Sequence, residues 1–317
     1  MQRYLVRRLF QIIPVFIGIT FISFMIIRLA PGDPIVALFP PEVLNKVDRK
    51  VLAEQLGLND PLPVQYLKMM ANFFSGQLRS FQEKQTTFTL IADRLPTTLI
   101  LSASAILCGL VIGIPIALIS ARRPYSILDT ITTTGALIGV ALPQFWLALV
   151  LILIFSEQLK LFPASGLRPI GSTSNNLVEM VPYLIMPVLV LTSSILPSII
   201  RYTRSSLLDA LGQDYVRTAR SKGLRERRVI FAHALRNALI PVVTLIGSLL
   251  PLLLGGSVLV ESIFGLPGLG RLAVRAALNR DYPVVLTLNM LSALLVLFAN
   301  LLTDIVYTRL DPRISLG

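Results

Sequence analysis

Six stretches of this sequence hold no charged residue at all: 9–27, 95–121, 130–156, 180–200, 237–260 and 282–303. The hydrocarbon core of a bilayer is about 30 Å thick, and a helix needs about 20 apolar residues to cross it. Each stretch meets or approaches that length. They predict membrane-spanning helices at roughly 9–30, 98–120, 131–156, 182–203, 239–262 and 284–306. Composition agrees. The 317 residues are 54% hydrophobic and 15% charged, where a soluble domain is about 25% charged. Mean hydropathy is +0.73. This is an all-α integral membrane protein by its chemistry, before any motif is considered.

The net charge of +12 would point to nucleic acid on a soluble protein. On a membrane protein the placement of charge matters more than its sum. Arg3, Arg7 and Arg8 precede the first run, and Arg122 and Arg123 oppose Asp129 in the loop 121–129. Segment 204–238 carries eight basic residues against Asp209, Asp214 and Glu226, and the tail has Arg309 and Arg313 against Asp311. The other loops are nearly balanced: 31–97 has seven charges of each sign, and 157–181 has two of each. Loop 263–283, with Arg271, Arg275 and Arg280 against Asp281, is a mild exception. The positive-inside rule then puts both termini and segment 204–238 in the cytoplasm. The first run is too long for a signal peptide and has no A-x-A-like cleavage site after it, so it reads as an uncleaved span.

The long outer segment 31–97 opens on the turn Pro31-Gly32-Asp33-Pro34. It continues with two short helical patterns, one around Val47, Val51, Leu52 and Leu56 and one in "DPLPVQYLKMMANFFSG". It is too short and too poor in strands for an enzyme domain.

Enzyme chemistry is hard to place. No Gly-Lys dipeptide occurs, so there is no Walker A loop, and "FGLPGLGR" (264–271) reads as a turn-rich element on the outer side. One cysteine, Cys108, excludes an intrachain disulfide, and with one histidine, His233, it argues against a His/Cys metal site. No charged residue falls at the centre of a span, which counts against a proton- or sodium-driven carrier. Glu261 and Asp304 fall near span ends, where interfacial water lowers the cost of a charge, and Arg28 and Arg201 can snorkel. Gln144, Thr192, Ser193, Ser194, Ser248 and Asn289 are polar at depth. They either line a translocation pathway or mediate helix packing. Pro115, Pro143, Pro187, Pro197 and Pro251 permit kinks.

Segment 204–238 is about 35 residues long, far more than a turn between two helices requires. Its pattern predicts an extension of the fourth span, a short helix around 213–222, a bend at Gly223 and a further helix entering the fifth span. Such an elbow suits a knob held in a partner's groove. With Tyr215 and Phe231 its sole aromatic residues, it offers little for stacking on nucleic-acid bases.

This segment resembles the cytoplasmic loop of ABC importer permeases, whose pattern is Glu-Ala-Ala, three residues, Gly, nine residues, Ile-x-Leu-Pro. Arg217, Thr218 and Ala219 stand at the first three positions, Gly223 at the glycine, and His233, Leu235 and Arg236 where the pattern has Ile, Leu and Pro. The spacing is kept while Glu, the first Ala, Ile and Pro are replaced. "YLVRRLFQIIPVFIGITFISF", "APGDP", "QLGLNDPLPVQY", "GGSVLVESIFGLPGLGRL", "RDYPVV" and "DPRI" resemble the dipeptide/oligopeptide/nickel branch, and specifically its peptide-system "B" permeases. The likeness runs over essentially the whole chain.

The resemblance implies a type I importer (MetI-like) permease of six spans in a bacterial plasma membrane. The chain would divide into 1–30 (N-terminus and first span), 31–97 (outer helical segment), 98–307 (five-helix core with coupling loop 204–238) and 308–317 (cytoplasmic tail). Its implied cargo is di- or oligopeptides. Nickel, glutathione or another small solute would be the alternative, and an ATP-independent carrier a remote one. The implied partners are a homologous second permease, two ABC ATPases, an external binding protein and membrane lipid, with no nucleic acid. ATP and Mg would be bound by the ATPases, leaving this chain without cofactor, metal or catalysis. Arg217, Thr218, Ala219, Arg220, Lys222, Gly223, Leu224, His233, Leu235 and Arg236 would form the ATPase contact, with Leu224 as its apolar anchor.

Overall fold

A computed structural model describes residues 2–29, 59–169, 171–172, 176–249 and 258–310. Among the described residues the regular elements are helices, apart from one isolated antiparallel bridge between Arg79 and Thr86. The expected helical pattern around Val47–Leu56 and the turn at 31–34 lie outside the described residues.

Helix α1 is Gln2–Leu29 and α2 is Leu62–Phe74. Helix α3, Thr87–Arg122, has 36 residues and starts before the span expected at 98–120. The cause is local. Thr86 caps the helix by accepting from the Thr89 amide, and Arg94 reaches Glu83 at 3.3 Å, so charged Asp93 and Arg94 fit on a helix that emerges from the apolar layer. At about 54 Å, α3 is much longer than a bilayer core is thick.

The third span, expected as one helix over 131–156, is broken. Helix α4, Ile127–Ala141, ends at Leu142, and α5, Gln144–Leu151, follows and passes into a π-helical segment, Ile152–Gln158. The two halves meet at a bend of 96°. Pro143 has no amide to donate and forces Leu142 out of the helical region, to φ −74°, ψ 123°. Pro115, Pro187 and Pro197, by contrast, sit inside continuous helices.

Helix α6 is Leu177–Leu211, and the short α7 is Asp214–Ser221. Helix α8 is built from Glu226–Arg228, a π-helical Val229–Ala234, Leu235–Ala238 and Ile240–Leu249. The apolar span it offers is Glu226–Gly247, so the fifth crossing begins earlier than the expected 239. Helices α9, Val258–Ile263, α10, Leu269–Leu278, and α11, Tyr282–Leu310, complete the chain. Among the described residues five helices are long and apolar enough to cross a membrane, and six crossings result if α4 and the bent α5 count as one.

The centre is the pairing of α3 with α6. Leu101 and Ala105 are buried against Leu191, Ile195 and Ile199. Gly109 and Gly113 sit one turn apart on the same face, where a Cβ would stand 3.0 Å from Ile199 Cδ1 and 2.8 Å from Ile199 Cγ2 respectively. Small residues at this spacing let two membrane helices approach closely, since lipid supplies no hydrophobic drive to hold them together. A second cluster joins α1, α2 and α11 through Phe16, Phe24, Met69, Phe73 and Met290.

Glu261 corrects the expectation of an interfacial carboxylate. It is fully buried between three elements. Thr98 on α3 donates to Glu261 Oε1 at 2.8 Å, and the Arg271 amide donates to Oε2 at 3.0 Å. The Leu269 amide in turn donates to the Thr98 hydroxyl at 2.8 Å. The carboxylate therefore occupies the N-terminus of α10, where a helix favours an anion. This accounts for the glycines of "FGLPGLGR". A Cβ on Gly268 would stand 2.3 Å from Glu261 Cδ, and one on Gly270 2.8 Å from Val258 Cα.

Candidate functional site

The elbow follows from how α6 stops. Its last carbonyls, Leu208 and Asp209, accept from the Gly212 amide, and Gln213 is extended, so the chain turns and starts again as α7. Asp214 complements the positive end of the new helix. Nine residues later the Gly223 amide donates to the Arg220 carbonyl and the Leu224 amide to the Ala219 carbonyl, ending α7. Gly223 has φ +73°, and a Cβ there would meet nothing within 4 Å. Glycine is required at this bend for backbone conformation and not for space.

Helix α7 has two faces. Val216 and Ala219 are buried, while Asp214, Tyr215, Arg217, Thr218, Arg220 and Ser221 are exposed. The buried pair packs with Leu118 and Ala121 of α3, Leu207 and Ala210 of α6, and Val229, Ile230, Ala234 and Ala238 of α8. The elbow is thus seated on the junction of three long helices. Ala219 is small because it lies where these helices converge.

The residues expected in the partner contact divide between these faces. Arg217, Thr218, Arg220, Lys222, Gly223 and Arg236 are exposed. Arg217 lies 3.7 Å from Asp214, one turn earlier, and Thr218 turns its hydroxyl to the Asp214 carbonyl at 2.9 Å. Arg220 grips Glu226 across the bend at 2.8 Å and 3.2 Å. That hydrogen bond holds the Arg220 guanidinium above its ordinary range, so it stays cationic. His233 is half-buried in the π-helical turn of α8. Leu224 and Leu235 pack against the inner cluster. Leu224, expected as an apolar anchor for a partner, is half-buried and also packs on the elbow's own helices.

Several of the polar residues expected at depth turn to backbone carbonyls. Thr192 is buried and donates to the Ala105 carbonyl of α3 at 3.2 Å, a packing bond between helices. Ser193 and Ser194 donate back to Val190 and Leu191 at 2.8 Å. Gln144 is half-buried at the start of α5, and Asn289 is exposed on α11. Ser248 lies on the last turns of α8.

One constellation beside the elbow has no signal in the sequence. Arg204 of α6 donates to both oxygens of Asp129, from Nε and Nη2, each at 2.6 Å. Ser120 of α3 also donates to Asp129, and the Tyr125 amide does so at 2.8 Å. The ends of α3, α4 and α6 are locked together here. Asp129 and Arg204 are 75 residues apart and belong to no spacing pattern. Single charges at loop borders are the only trace they leave.

Comparison with known proteins places this architecture. Residues 113–316 match the model of the binding-protein-dependent transport system inner membrane component, and residues 1–102 match the N-terminal model of such membrane components. The oligopeptide transport system permease protein AppB of Bacillus subtilis (strain 168) is 45% identical over 317 residues, covering 99% of this chain and 100% of its own. The dipeptide transport system permease protein DppB of Escherichia coli (strain K12) is 36% identical, with 99% of both chains covered. The di/tripeptide transport system permease protein DppB of Pseudomonas aeruginosa (strain UCBPP-PA14) is 38% identical, again with 99% of both covered. By these full-length matches and its helical architecture, the chain belongs to the family of inner-membrane components of binding-protein-dependent transport systems.

Proposed function

We propose that this chain is a peptide permease subunit of an ATP-driven importer, and that α7 is the element through which partner ATPases drive it. The observation that carries the reading is the two-faced elbow. Its inner face is fused to α3, α6 and α8, and its outer face is polar and open to a partner. A push on α7 is therefore a push on three membrane helices. The peptide cargo is supported by full-length relatives named for oligopeptide and dipeptide transport.

The chain has no site for hydrolysis in this reading. Two ATPases bind ATP and Mg, a homologous second permease completes the pathway, and an external binding protein delivers cargo opposite the elbow. The basic residues of 204–238 support an orientation with the elbow and both termini in the cytoplasm. ATP and the loaded binding protein act by favouring different conformations of the same bundle, since a ligand with equal affinity for both would shift nothing.

The test is uptake of labelled di- and oligopeptides into proteoliposomes holding the full complex, with ATP on the elbow side. Uptake that requires both ATP and the binding protein supports the reading. Uptake of peptides without ATP, or ATP-dependent uptake of nickel or glutathione in place of peptides, overturns it.

A further inference from the structure

A cleft of about 440 Å³ lies behind the elbow, lined by Ala121 and Arg122 of α3, Leu211 of α6, Arg220 of α7, and Glu226, Arg227 and Ile230 of α8. Its charge is unbalanced. Three arginines and one glutamate line it, and that carboxylate is already held by Arg220. Among the described residues neither Arg122 nor Arg227 lies within ion-pair distance of an acidic group.

Its depth is fixed by the helices that form it. Arg122 is the last residue of one apolar span and Glu226 the first of another, so two span ends converge on the cleft. Ile119, nearly one turn inside Arg122, and Phe231, one turn inside Arg227, are exposed and apolar. Ile127 and Leu128, just beyond the same corner, are exposed as well. The border between exposed apolar surface and basic surface thus runs through the cleft, and the ends of spans are where phospholipid headgroups lie. Ala121, Leu211 and Ile230 give it apolar walls beside the arginines.

We propose that this cleft binds the phosphodiester of an anionic phospholipid headgroup, with Arg122 and Arg227 as its ligands. Paired arginines at headgroup depth match phosphate geometry and gain from the surface potential of an anionic leaflet. Arg220, held by Glu226, also lines the cleft, so an occupied cleft braces the bend from its membrane side. The lipid then becomes part of the wall on which the elbow rests. This inference does not depend on which solute the permease carries.

The experiment titrates the detergent-purified full chain, with whatever subunits it retains, with dioctanoyl phosphatidylglycerol, read by native mass spectrometry. Saturable binding to wild type is expected, weakened about 5-fold by Arg227→Gln and about 30-fold by Arg122→Gln with Arg227→Gln. Arg123→Gln, which removes an exposed arginine outside the cleft, should leave binding unchanged. Dioctanoyl phosphatidylcholine should not compete, and millimolar inorganic phosphate should not displace the lipid. If the double variant misfolds, the single variant still decides. The proposal is overturned by equal binding of both lipids, by displacement with free phosphate, or by variants that keep the lipid and instead lose an ATPase subunit.

Discussion

Two glycines show how differently the same residue is demanded. Gly223 is needed for its φ of +73° in open space, and Gly268 for the 2.3 Å that a Cβ would leave to Glu261. Substitutions should separate the two causes. Gly223→Ala should lower stability by about 1–2 kcal/mol, the cost of a left-handed backbone, and Gly223→Asn by less because Asn tolerates that region. Gly268→Ala should cost about 3 kcal/mol, the upper end for overpacking, because a buried carboxylate and two helices must shift. Thermal unfolding in detergent ranks them. Equal losses at the two sites would contradict these assignments. The bend at Gly223 was legible in the sequence from glycine between two helical patterns. The demand at Gly268 was not, because it depends on Glu261 folding back from the preceding helix.

At the scale of elements, long apolar helices were legible and their interruptions only partly so. Hydropathy reports which residues tolerate lipid, and a helix with a 96° bend at Pro143 has the same hydropathy as a straight one. Pro115, Pro187 and Pro197 carry the same residue without a break, so neighbours and not proline alone decide. The polar residues of α6 show a similar limit. Thr192 bonds to α3, a packing role that composition does not distinguish from lining a pathway. The Asp129–Arg204 pair ties the ends of three helices and belongs to this scale. Asp129 is almost fully buried and Arg204 largely so. Arg204→Ala should cost about 3 kcal/mol, because it strands a buried carboxylate. The double variant Asp129→Ala with Arg204→Ala should cost less than the sum of the two single losses. A double-mutant cycle by thermal unfolding measures the coupling, and additive losses would mean that the two groups do not act as a pair.

At the scale of the whole molecule, function was legible because the elbow is a spacing pattern within one segment. Ala219, Gly223 and Leu235 keep their places while Arg217, Thr218, His233 and Arg236 replace the pattern's usual residues. The structure explains the tolerance. Ala219 is buried at a helix junction and Gly223 has positive φ, whereas Arg217 and Arg236 are exposed. Orientation is a separate claim, resting on loop charge. Ser221→Cys in a Cys108→Ser background should react with an impermeant maleimide in inside-out vesicles and not in right-side-out ones. The reverse labelling would invert the topology and put the elbow out of reach of any ATPase.

The central claim is that the outer face of α7 is where ATP hydrolysis by a partner is coupled to the membrane helices. It is tested most directly by Tyr215→Ala combined with Arg217→Ala. Both side chains are exposed and neither enters the inner cluster, so the fold should survive. The measurement is retention of the ATPase by the purified permease, alongside ATP-dependent uptake in proteoliposomes. The account predicts that the variant inserts and keeps its second permease but loses more than about 10-fold of the retained ATPase, the effect of about 1.4 kcal/mol at a docking surface. Uptake should fall with it. Unchanged ATPase retention and unchanged uptake in a folded variant would contradict the claim.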